Sequence, residues 1–372
     1  MNIIRKELFN KSKRIVIKIG SQVLTDENKS LDQIRIARIV EQIAKLTNTY
    51  KKQIILVSSG AISAGMGKLN IKKRPANLPD VQALAAVGQS FLIESYRREF
   101  NKYGIEIGQI LVTKEDFQNR NRYLNMSNTL AALLKRNIIP VFNENDTVAT
   151  REITLGDNDQ LCTLVSHSVH ADLVVILSNQ EGFLDMENNG TLIPLITKID
   201  KKILQKVSNT KSQAGAGGMQ SKIGAVKQLI TSGEPVILAC GKKENVLFEI
   251  FEKDVGSLFL SSETKLKRKK RWIAFSAKPS GELIIDEGAK NALAQNRSLL
   301  AIGIKNVIGD FNKGSTVKII HNNIEVARGL VNYGSEEIHA IKGHKSSEFE
   351  KLIGDFSDEE IIHKNNLVIT KD

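Results

Sequence analysis

A glycine-rich segment that ends in a lysine is the part of this chain best suited to chemistry. Residues 214–222 read AGAGGMQSK, and the apolar residues that follow Lys222 recur at helical spacing. Glycine lets a backbone approach a ligand closely, and the unpaired N–H groups at the start of a helix attract anions. The segment predicts a phosphate site with Lys222 at its mouth, although a plain flexible loop explains the glycines equally well. The P-loop spacing G-x-x-x-x-G-K-[ST] is absent.

A second lysine interrupts an apolar stretch. Residues 14–20 read RIVIKIG, with Lys18 two positions before Gly20. Burial of an unpaired ammonium group is costly, so Lys18 either lies at a sheet edge and reaches solvent or binds a ligand at the end of the strand. Because the neighbouring glycine permits a ligand to come close, the sequence favours Lys18 as a phosphate ligand.

Polar clusters follow two further apolar stretches. Ser59 and Gly60 come directly after residues 53–58, where their hydroxyl and N–H groups could hold an anion or cap a helix. Residues 143–146 read NEND and follow the apolar stretch that begins at residue 138. A turn is the simplest explanation for this run, and a site for a charged amine is the alternative.

The run GDND at residues 156–159 repeats this composition at the start of a helix pattern. Helix capping explains one of its residues and not three. The EF-hand spacing is absent, and His167 and His170 have no third ligand at metal-binding spacing, so we predict no metal site. The sequence supports no Ser-His-Asp arrangement either.

Composition places the chain among globular proteins of two domains or more. Its 372 residues are 41% hydrophobic and 25% charged, with a formal net charge of +12. Residues 1–260 hold 35 basic and 26 acidic side chains, whereas residues 272–372 hold 12 and 14. Both cysteines lie in apolar stretches, no signal peptide pattern opens the chain, and no apolar run has the length of a membrane span. We therefore expect a cytoplasmic protein without a membrane partner.

Strand patterns and helix patterns alternate over the first 260 residues. Strand patterns occur at residues 14–20, 53–58, 105–112, 138–143, 173–178 and 235–239. Helix patterns occur at residues 31–48, with Ser30 as the cap, and at 81–103, 124–136 and 159–170. Repeated β-α units predict an α/β fold with a mostly parallel sheet and helices on both faces. Ligands of such folds bind beyond the carboxyl ends of the strands.

The character of the chain changes after residue 271. Short strand patterns separated by glycines occur at residues 272–275, 282–285, 316–320 and 325–330, with one helix pattern at 286–296. They predict a small β-rich domain. We therefore divide the chain into a domain of residues 1–260, a basic linker of residues 261–271 and a β-rich domain of residues 272–372.

Five segments together resemble the amino acid kinase family. They are KIGS at 18–21, SSGAI at 58–62, NEND at 143–146, GDND at 156–159 and GGMQSK at 217–222. The resemblance covers nearly the whole chain, because residues 270–289 resemble the start of the PUA domain that some members carry. It implies the amino acid kinase fold followed by a PUA-like domain. It also implies ATP-dependent phosphorylation of the γ-carboxylate of L-glutamate, the first step towards proline.

The resemblance also implies roles for individual residues. Lys18 and Lys222 would flank the transferred phosphoryl group and Asp159 would orient them. A glutamate carboxylate is already ionised and needs no general base, so catalysis reduces to positioning and charge stabilisation. A substrate carboxylate would be bound by Ser59 and Gly60, and the amino end by Asn143, Asp146, Asp157 and Asn158.

ATP, which would carry Mg2+ with it, has its own implied set of residues. These are Lys18, Ser178, Asn179, Ala216, Gly217, Gly218, Met219, Gln220, Ser221 and Lys222. The chain departs from the family pattern here, since Asn179 replaces a usual Asp and Ala216 a usual Thr or Ser. These two departures remove a charge and a hydroxyl from the predicted nucleotide contacts.

The resemblance further implies inhibition by proline and assembly into a homo-oligomer, a dimer or a tetramer. Two alternatives stay open. One is another activity of the same family, on aspartate, acetylglutamate, carbamate or a nucleotide. The other is RNA binding through the PUA-like domain, which the slight acidic excess of residues 272–372 disfavours and the basic run 265–271 could support.

Overall fold

The computed structural model describes residues 2–27, 30–149, 158–199, 203, 219–261, 270, 272–354, 356 and 358–370. The chain divides into two compact units. The first comprises residues 1–117 and 121–265, and the second comprises residues 118–120 and 266–372. Among the described helices, none is both long enough and apolar enough for a membrane span.

The first unit is built on an eight-stranded sheet. The strands up to residue 261 are β1 (Arg14–Ile19), β2 (Gln53–Ser58), β3 (Ile107–Val112), β4 (Ile139–Glu144), β5 (Leu173–Ser178), β6 (Leu184–Asp185), β7 (Thr191–Leu192), β8 (Leu195–Ile196), β9 (Val236–Cys240) and β10 (Ser257–Phe259). The sheet has the order β3-β4-β2-β1-β5-β9-β10-β8, while β6 and β7 form a separate antiparallel pair. Among the described strand pairs of the large sheet, β9–β10 alone is antiparallel. The prediction of a mostly parallel sheet is therefore confirmed, and all six predicted strands are present.

Helices connect and cover these strands. They are α1 (Asn2–Lys11), α2 (Ser21–Leu24), α3 (Gln33–Asn48), α4 (Ala61–Lys68), α5 (Leu78–Asn101), α6 (Lys114–Gln118), α7 (Arg120–Lys135), α8 (Asn158–Val169), α9 (Met219–Thr231) and α10 (Val246–Glu252). On one face of the sheet, Ile15, Ile17 and Ile19 of β1 share a buried core with residues of α3 and α5. Successive strand residues point to opposite faces, so Lys18 faces the other side, where α8 packs on β1.

Three helix starts differ from the predicted ones by two residues or more. The predicted cap Ser30 lies in a turn, and Asp32 caps α3 instead by accepting a hydrogen bond from Arg35 N at 2.9 Å. Helix α5 begins three residues before the predicted start because Asn77 caps it. Helix α7 begins four residues early. The apolar pattern shows only the part of a helix that packs on the core, and the first turn is fixed by local polar contacts.

The second unit contains a five-stranded sheet. Its strands are β11 (Gly281–Ile285), β12 (Ile304–Ile308), β13 (Thr316–His321), β14 (Ile324–Leu330) and β15 (Leu367–Ile369), in the order β12-β11-β13-β14-β15. Its helices are α11 (Glu287–Ala294), α12 (Ser335–Ile341) and α13 (Phe349–Ile353). The predicted β-rich character is confirmed. The two strands that the sequence analysis missed, β12 and β15, are the edge strands.

The predicted strand at residues 272–275 is wrong. Trp272–Ser276 forms a single π-helical turn, closed by a hydrogen bond from Ala277 N to Trp272 O at 2.8 Å. Arg328 of β14 donates to the carbonyl of Ala274 at 3.1 Å. The Arg328 side chain thus satisfies the carbonyl of Ala274, which a neighbouring strand would bind if these residues formed a strand.

Candidate active site

Two lysines that are distant in the sequence meet at one carboxylate. Lys18 Nζ lies 2.6 Å from Asp159 Oδ1, and Lys222 Nζ donates a hydrogen bond to Asp159 Oδ2 at 3.1 Å. All three side chains are buried, with relative exposures of 2% for Lys18, 7% for Lys222 and 0% for Asp159. The cluster holds two positive charges and one negative charge in a poorly solvated place. It is therefore suited to bind a further anion.

Each member of this cluster is positioned by a different element. Lys18 lies in β1 between β2 and β5, opposite Val57 and Ile176. It is therefore not an edge lysine, and that alternative of the sequence analysis is wrong. Asp159 lies in the first turn of α8, and Lys222 lies in the first turn of α9.

Asn158 links the ends of two strands to the start of α8. Its side-chain amide donates to Ser58 O at 2.6 Å, to Ser59 Oγ at 2.8 Å and to Asn143 Oδ1 at 3.0 Å. Ser59 follows β2 and Asn143 lies in β4. Parallel strands present their carboxyl ends at the same edge of a sheet, so three clusters that are separate in the sequence come together here.

Asn143 is held by a partner that the sequence analysis did not assign to the site. Its Nδ2 donates to Gln89 Oε1 of α5 at 2.7 Å, and its Oδ1 accepts from Glu144 N at 2.9 Å. Asn143 and Gln89 are both buried. The orientation of the Asn143 amide is therefore fixed before any ligand binds.

Gly60 makes the turn from β2 into α4. Its φ of +99° is in the left-handed region, which favours glycine. Gly60 itself is the N-cap residue of α4, and none of the described side chains caps this helix. The hydroxyl of Ser59 instead accepts from Asn158, so the helix-capping alternative for Ser59 is wrong. The first N–H groups of α4 are oriented as an anion site requires.

A cavity of about 450 Å3 opens beside these residues. Its lining includes all the predicted substrate residues that the structure describes: Ser59, Gly60, Asn143, Asp146 and Asn158. Arg74 and Gln82 also line it, and the sequence analysis missed both. They lie in and just after a polar loop without a recognisable motif, so no local signal marked them. Since Asn158 immediately precedes Asp159, the cavity and the lysine pair are neighbours.

The cavity contains a carboxyl group with an altered affinity for protons. Burial and the nearby Glu144 carboxylate together raise the pKa of Asp146 to about 6, against the opposing effect of Arg74. Arg74 is exposed to solvent. It lines the cavity together with the acidic residues Glu144 and Asp146.

The predicted nucleotide residues are only partly described. Ser178 ends β5, is buried, and its hydroxyl accepts from Gln180 N at 3.1 Å. Asn179 directly follows it, and Met219, Gln220 and Ser221 form the first turn of α9. Asp157, Ala216, Gly217 and Gly218 lie outside the described residues. Within the described part of the chain, no group of three or more His, Cys, Asp or Glu side chains is placed to hold a metal ion.

Comparisons with known proteins found two matching family models and relatives that are similar over nearly the whole chain. A model of the amino acid kinase family matches residues 13–240, and a model of the PUA domain matches residues 281–353. A glutamate 5-kinase of Caldanaerobacter subterraneus is 45% identical over 96% of this chain and 97% of its own length. A glutamate 5-kinase of Thermoanaerobacter sp. is 44% identical over the same shares. That of Pelobacter propionicus is 41% identical over 98% of this chain and 100% of its own.

Proposed function

This chain belongs to the amino acid kinase family, and we propose that it transfers the γ-phosphoryl group of ATP to the γ-carboxylate of L-glutamate. Relatives named glutamate 5-kinase, 41–45% identical over nearly the whole chain, support this proposal. The single structural observation that carries it is the contact of Lys18 and Lys222 with Asp159 beside a cavity of amino acid size. The product, glutamyl 5-phosphate, would feed proline biosynthesis.

The lysine pair would act on the phosphoryl group. Its transition state spreads negative charge over three oxygens, and catalysis depends on positioning and on preorganised positive charge. Lys18 and Lys222 would stabilise this charge, and Asp159 would hold both ammonium groups in place. No proton must be removed from the acceptor, because a glutamate carboxylate is ionised at neutral pH.

The cavity would bind the two ends of glutamate by opposite charges. Ser59 and the N–H groups around Gly60 would receive the γ-carboxylate, next to Asn158 and the lysine pair. Asp146, ionised at pH 7, would receive the ammonium group with help from Asn143. Among the described residues that line the cavity, Arg74 is the one cationic side chain. We assign it to the α-carboxylate, which needs a positive partner of its own.

ATP and Mg2+ would enter together. The described catalytic cluster offers two ammonium groups and one carboxylate already paired with them. Such a donor set fits phosphate oxygens and not a bare divalent cation, which prefers several oxygen ligands. Ser178, Asn179 and the first turn of α9 would contact the nucleotide. Magnesium would neutralise charge on its phosphates.

A coupled assay of ADP release tests the proposal. We expect turnover with L-glutamate and little with L-aspartate or N-acetyl-L-glutamate at equal concentration. Preferred turnover of acetylglutamate would instead assign the chain to another activity of the family. Adding L-proline should inhibit, because its carboxylate and ammonium groups match the α-substituents of glutamate and fit the same cavity.

We also propose that the protein is cytoplasmic and forms a homo-oligomer. Strand β3 ends the sheet order next to β4, and its Leu111 side chain is exposed. An edge strand with an exposed apolar side chain is prone to pair with a second copy. Light scattering after size-exclusion chromatography would measure the oligomer, and Leu111→Lys should reduce its size if β3 lies in the interface.

A further inference from the structure

A buried polar cluster lies at the ends of α8 and α9 that are remote from the catalytic cluster. His167 Nε2 lies 2.8 Å from Ser232 Oγ and 3.6 Å from Glu234 Oε2, and the Ser232 hydroxyl donates to Glu234. Relative exposures are 1% for His167 and 0% for both Ser232 and Glu234. We call these three residues the distal cluster.

The distal cluster is not a hydrolytic triad, although it combines serine, histidine and an acid. In a hydrolytic triad histidine lies between serine and the acid, whereas here the serine hydroxyl lies between the other two side chains. A substrate cannot reach side chains that are at most 1% exposed. The role of the distal cluster must therefore concern α8 and α9, the helices that it joins.

The two joined helices also carry the catalytic cluster. Asp159 is in the first turn of α8 and His167 is near its end, about 12 Å further along the axis at 1.5 Å per residue. Lys222 is in the first turn of α9, and Ser232 directly follows its last residue. The helices therefore run side by side in the same direction. They are linked at one end by Lys222 and Asp159 and at the other by Ser232 and His167.

Between these two links the helices present buried apolar residues such as Val165, Val226 and Leu229. Apolar contacts are non-directional and tolerate a small slide of one helix along the other. A hydrogen bond tolerates a change of only a few tenths of an ångström in the distance between its donor and its acceptor. A buried polar cluster adds little stability over apolar residues of the same size, and its best-attested role is to fix register.

We propose that His167 is a positioning residue, which fixes the axial position of α9 on α8 through Ser232 and Glu234. Through α9 it fixes the distance of Lys222 Nζ from Asp159 and from the phosphoryl group. This inference rests on the role proposed for Lys222. Misplacement of a catalytic group by about 1 Å can lower a rate about a hundredfold, so a small slide of α9 suffices for a measurable effect.

The test compares variants that remove the link with one that keeps it. His167→Leu and Ser232→Ala should each lower kcat about tenfold. This is less than the loss of about a hundredfold that a shift of 1 Å can cause. The KM for glutamate should stay within about twofold of the wild-type value. Ser59, Asn143 and Asn158 are held by contacts outside the distal cluster, so binding of the substrate in its ground state is unaffected. His167→Gln keeps an N–H donor at a similar reach and should restore most of kcat.

Ser168→Ala is the matched control. Ser168 is buried on the same helix, but its hydroxyl donates to Val165 O of α8 itself at 2.7 Å and not to α9. It should lose stability and keep its kcat. A thermal melting curve of each variant gives the fraction that is folded at the assay temperature. Values of kcat are compared per folded protein.

Unchanged kcat in both folded His167→Leu and folded Ser232→Ala would overturn the inference, and so would an equal loss in Ser168→Ala. The proposed function would stand in either case if wild-type turnover of glutamate is lost in Lys222→Met. If the wild type does not phosphorylate glutamate, the proposed function fails by itself. A crystal structure of His167→Leu then decides the inference, since an unmoved Lys222–Asp159 contact would refute it.

Discussion

Lys18 Nζ and Asp159 Oδ1 lie 2.6 Å apart, and both side chains are buried. Lys18 comes from near the carboxyl end of a strand and Asp159 from the start of a helix. Desolvation makes such a pair costly unless its geometry and further contacts compensate. Lys222 provides the further contact and leaves one positive charge in excess, which a phosphate group would neutralise. The arrangement therefore favours binding of an anion over stability of the empty protein.

Replacement of the second lysine should strongly reduce turnover. We expect Lys222→Met to lower kcat with glutamate and ATP by about 10²–10³-fold, the usual loss when one preorganised charge is removed. Lys227→Met is the control, since Lys227 is exposed on the same helix. A Lys222→Met variant with more than a tenth of wild-type kcat would contradict the role proposed for this lysine.

The KM for glutamate should depend on pH through Asp146. The pKa of this carboxyl is raised to about 6 by burial and by Glu144, so it is ionised at pH 7 and protonated at pH 5. We expect the KM for glutamate to rise as the pH falls through 6, because a protonated carboxyl cannot pair with the substrate ammonium. Asp146→Asn should show a high KM at pH 7 that does not change with pH between 5 and 7.

The Asp146 carboxyl group should make the ligand-free protein less stable at neutral pH than at acidic pH. Its pKa in the unfolded chain is near 3.8, so between about pH 4 and 6 the unfolded chain releases the proton more readily than the folded one. The free energy of unfolding therefore falls as the pH rises, by about 3 kcal/mol over the window at 1.36 kcal/mol per unit of pKa. Asp146→Asn should be more stable than wild type at pH 7 in urea unfolding, and the difference should vanish near pH 4.

Asn158 should be sensitive to a change of charge at constant shape. Asn158→Asp replaces the amide donor of three hydrogen bonds with a carboxylate that would face the carbonyl of Ser58 and the oxygen of Asn143. We expect a KM for glutamate at least about tenfold higher, since the lost contacts leave buried acceptors unpaired and the new charge repels a substrate carboxylate. Steady-state kinetics with ATP saturating measures this. A KM within twofold of wild type would remove Asn158 from the substrate site.

The role of Arg74 can be separated from general damage by a change of substrate. Wild type should strongly prefer L-glutamate to 4-aminobutyrate, which keeps the γ-carboxyl and amino groups and lacks the α-carboxylate. Arg74→Gln should lower kcat/KM for glutamate about tenfold or more, typical of a lost charge-assisted hydrogen bond. It should leave the low kcat/KM for 4-aminobutyrate unchanged. An equal loss for both substrates would show that Arg74 does not bind the α-carboxylate.

One buried arginine should matter for stability alone. Arg5 of α1 is fully buried and donates to the carbonyls of Ile250, Val255, Gly256 and Pro194 at 2.7–3.0 Å. Arg5→Met leaves these acceptors without their donor and should lower the free energy of unfolding by about 3 kcal/mol or more. Lys6→Met, at an exposed position of the same helix, should change it by less than about 0.5 kcal/mol. Both should keep the wild-type KM for glutamate when folded.

The strands and most helix interiors could be predicted because their signal is local. Residues 53–58 and 173–178 form β2 and β5 with the predicted ends, since continuous apolar runs indicate strands covered on both faces. Helix starts were less accurate, because Asp32 and Asn77 act as caps through contacts that hydrophobic spacing does not reveal. The short edge strand β15 has only three residues, too few for a period.

The residue types available for the chemistry can be recognised from the sequence alone: two lysines beside glycines, two runs of amides and acids, and the strands that precede them. The sequence left Lys18 with two interpretations and Ser59 with two, because each depends on what lies beside it in space. The three-dimensional fold places Lys18 in an interior strand, brings Asp159 between Lys18 and Lys222, and adds Arg74 to the lining of the cavity and Gln89 as the partner of Asn143. The physical reason is that strand order and register are set by burial of the whole sheet, and no short segment of the sequence contains that information.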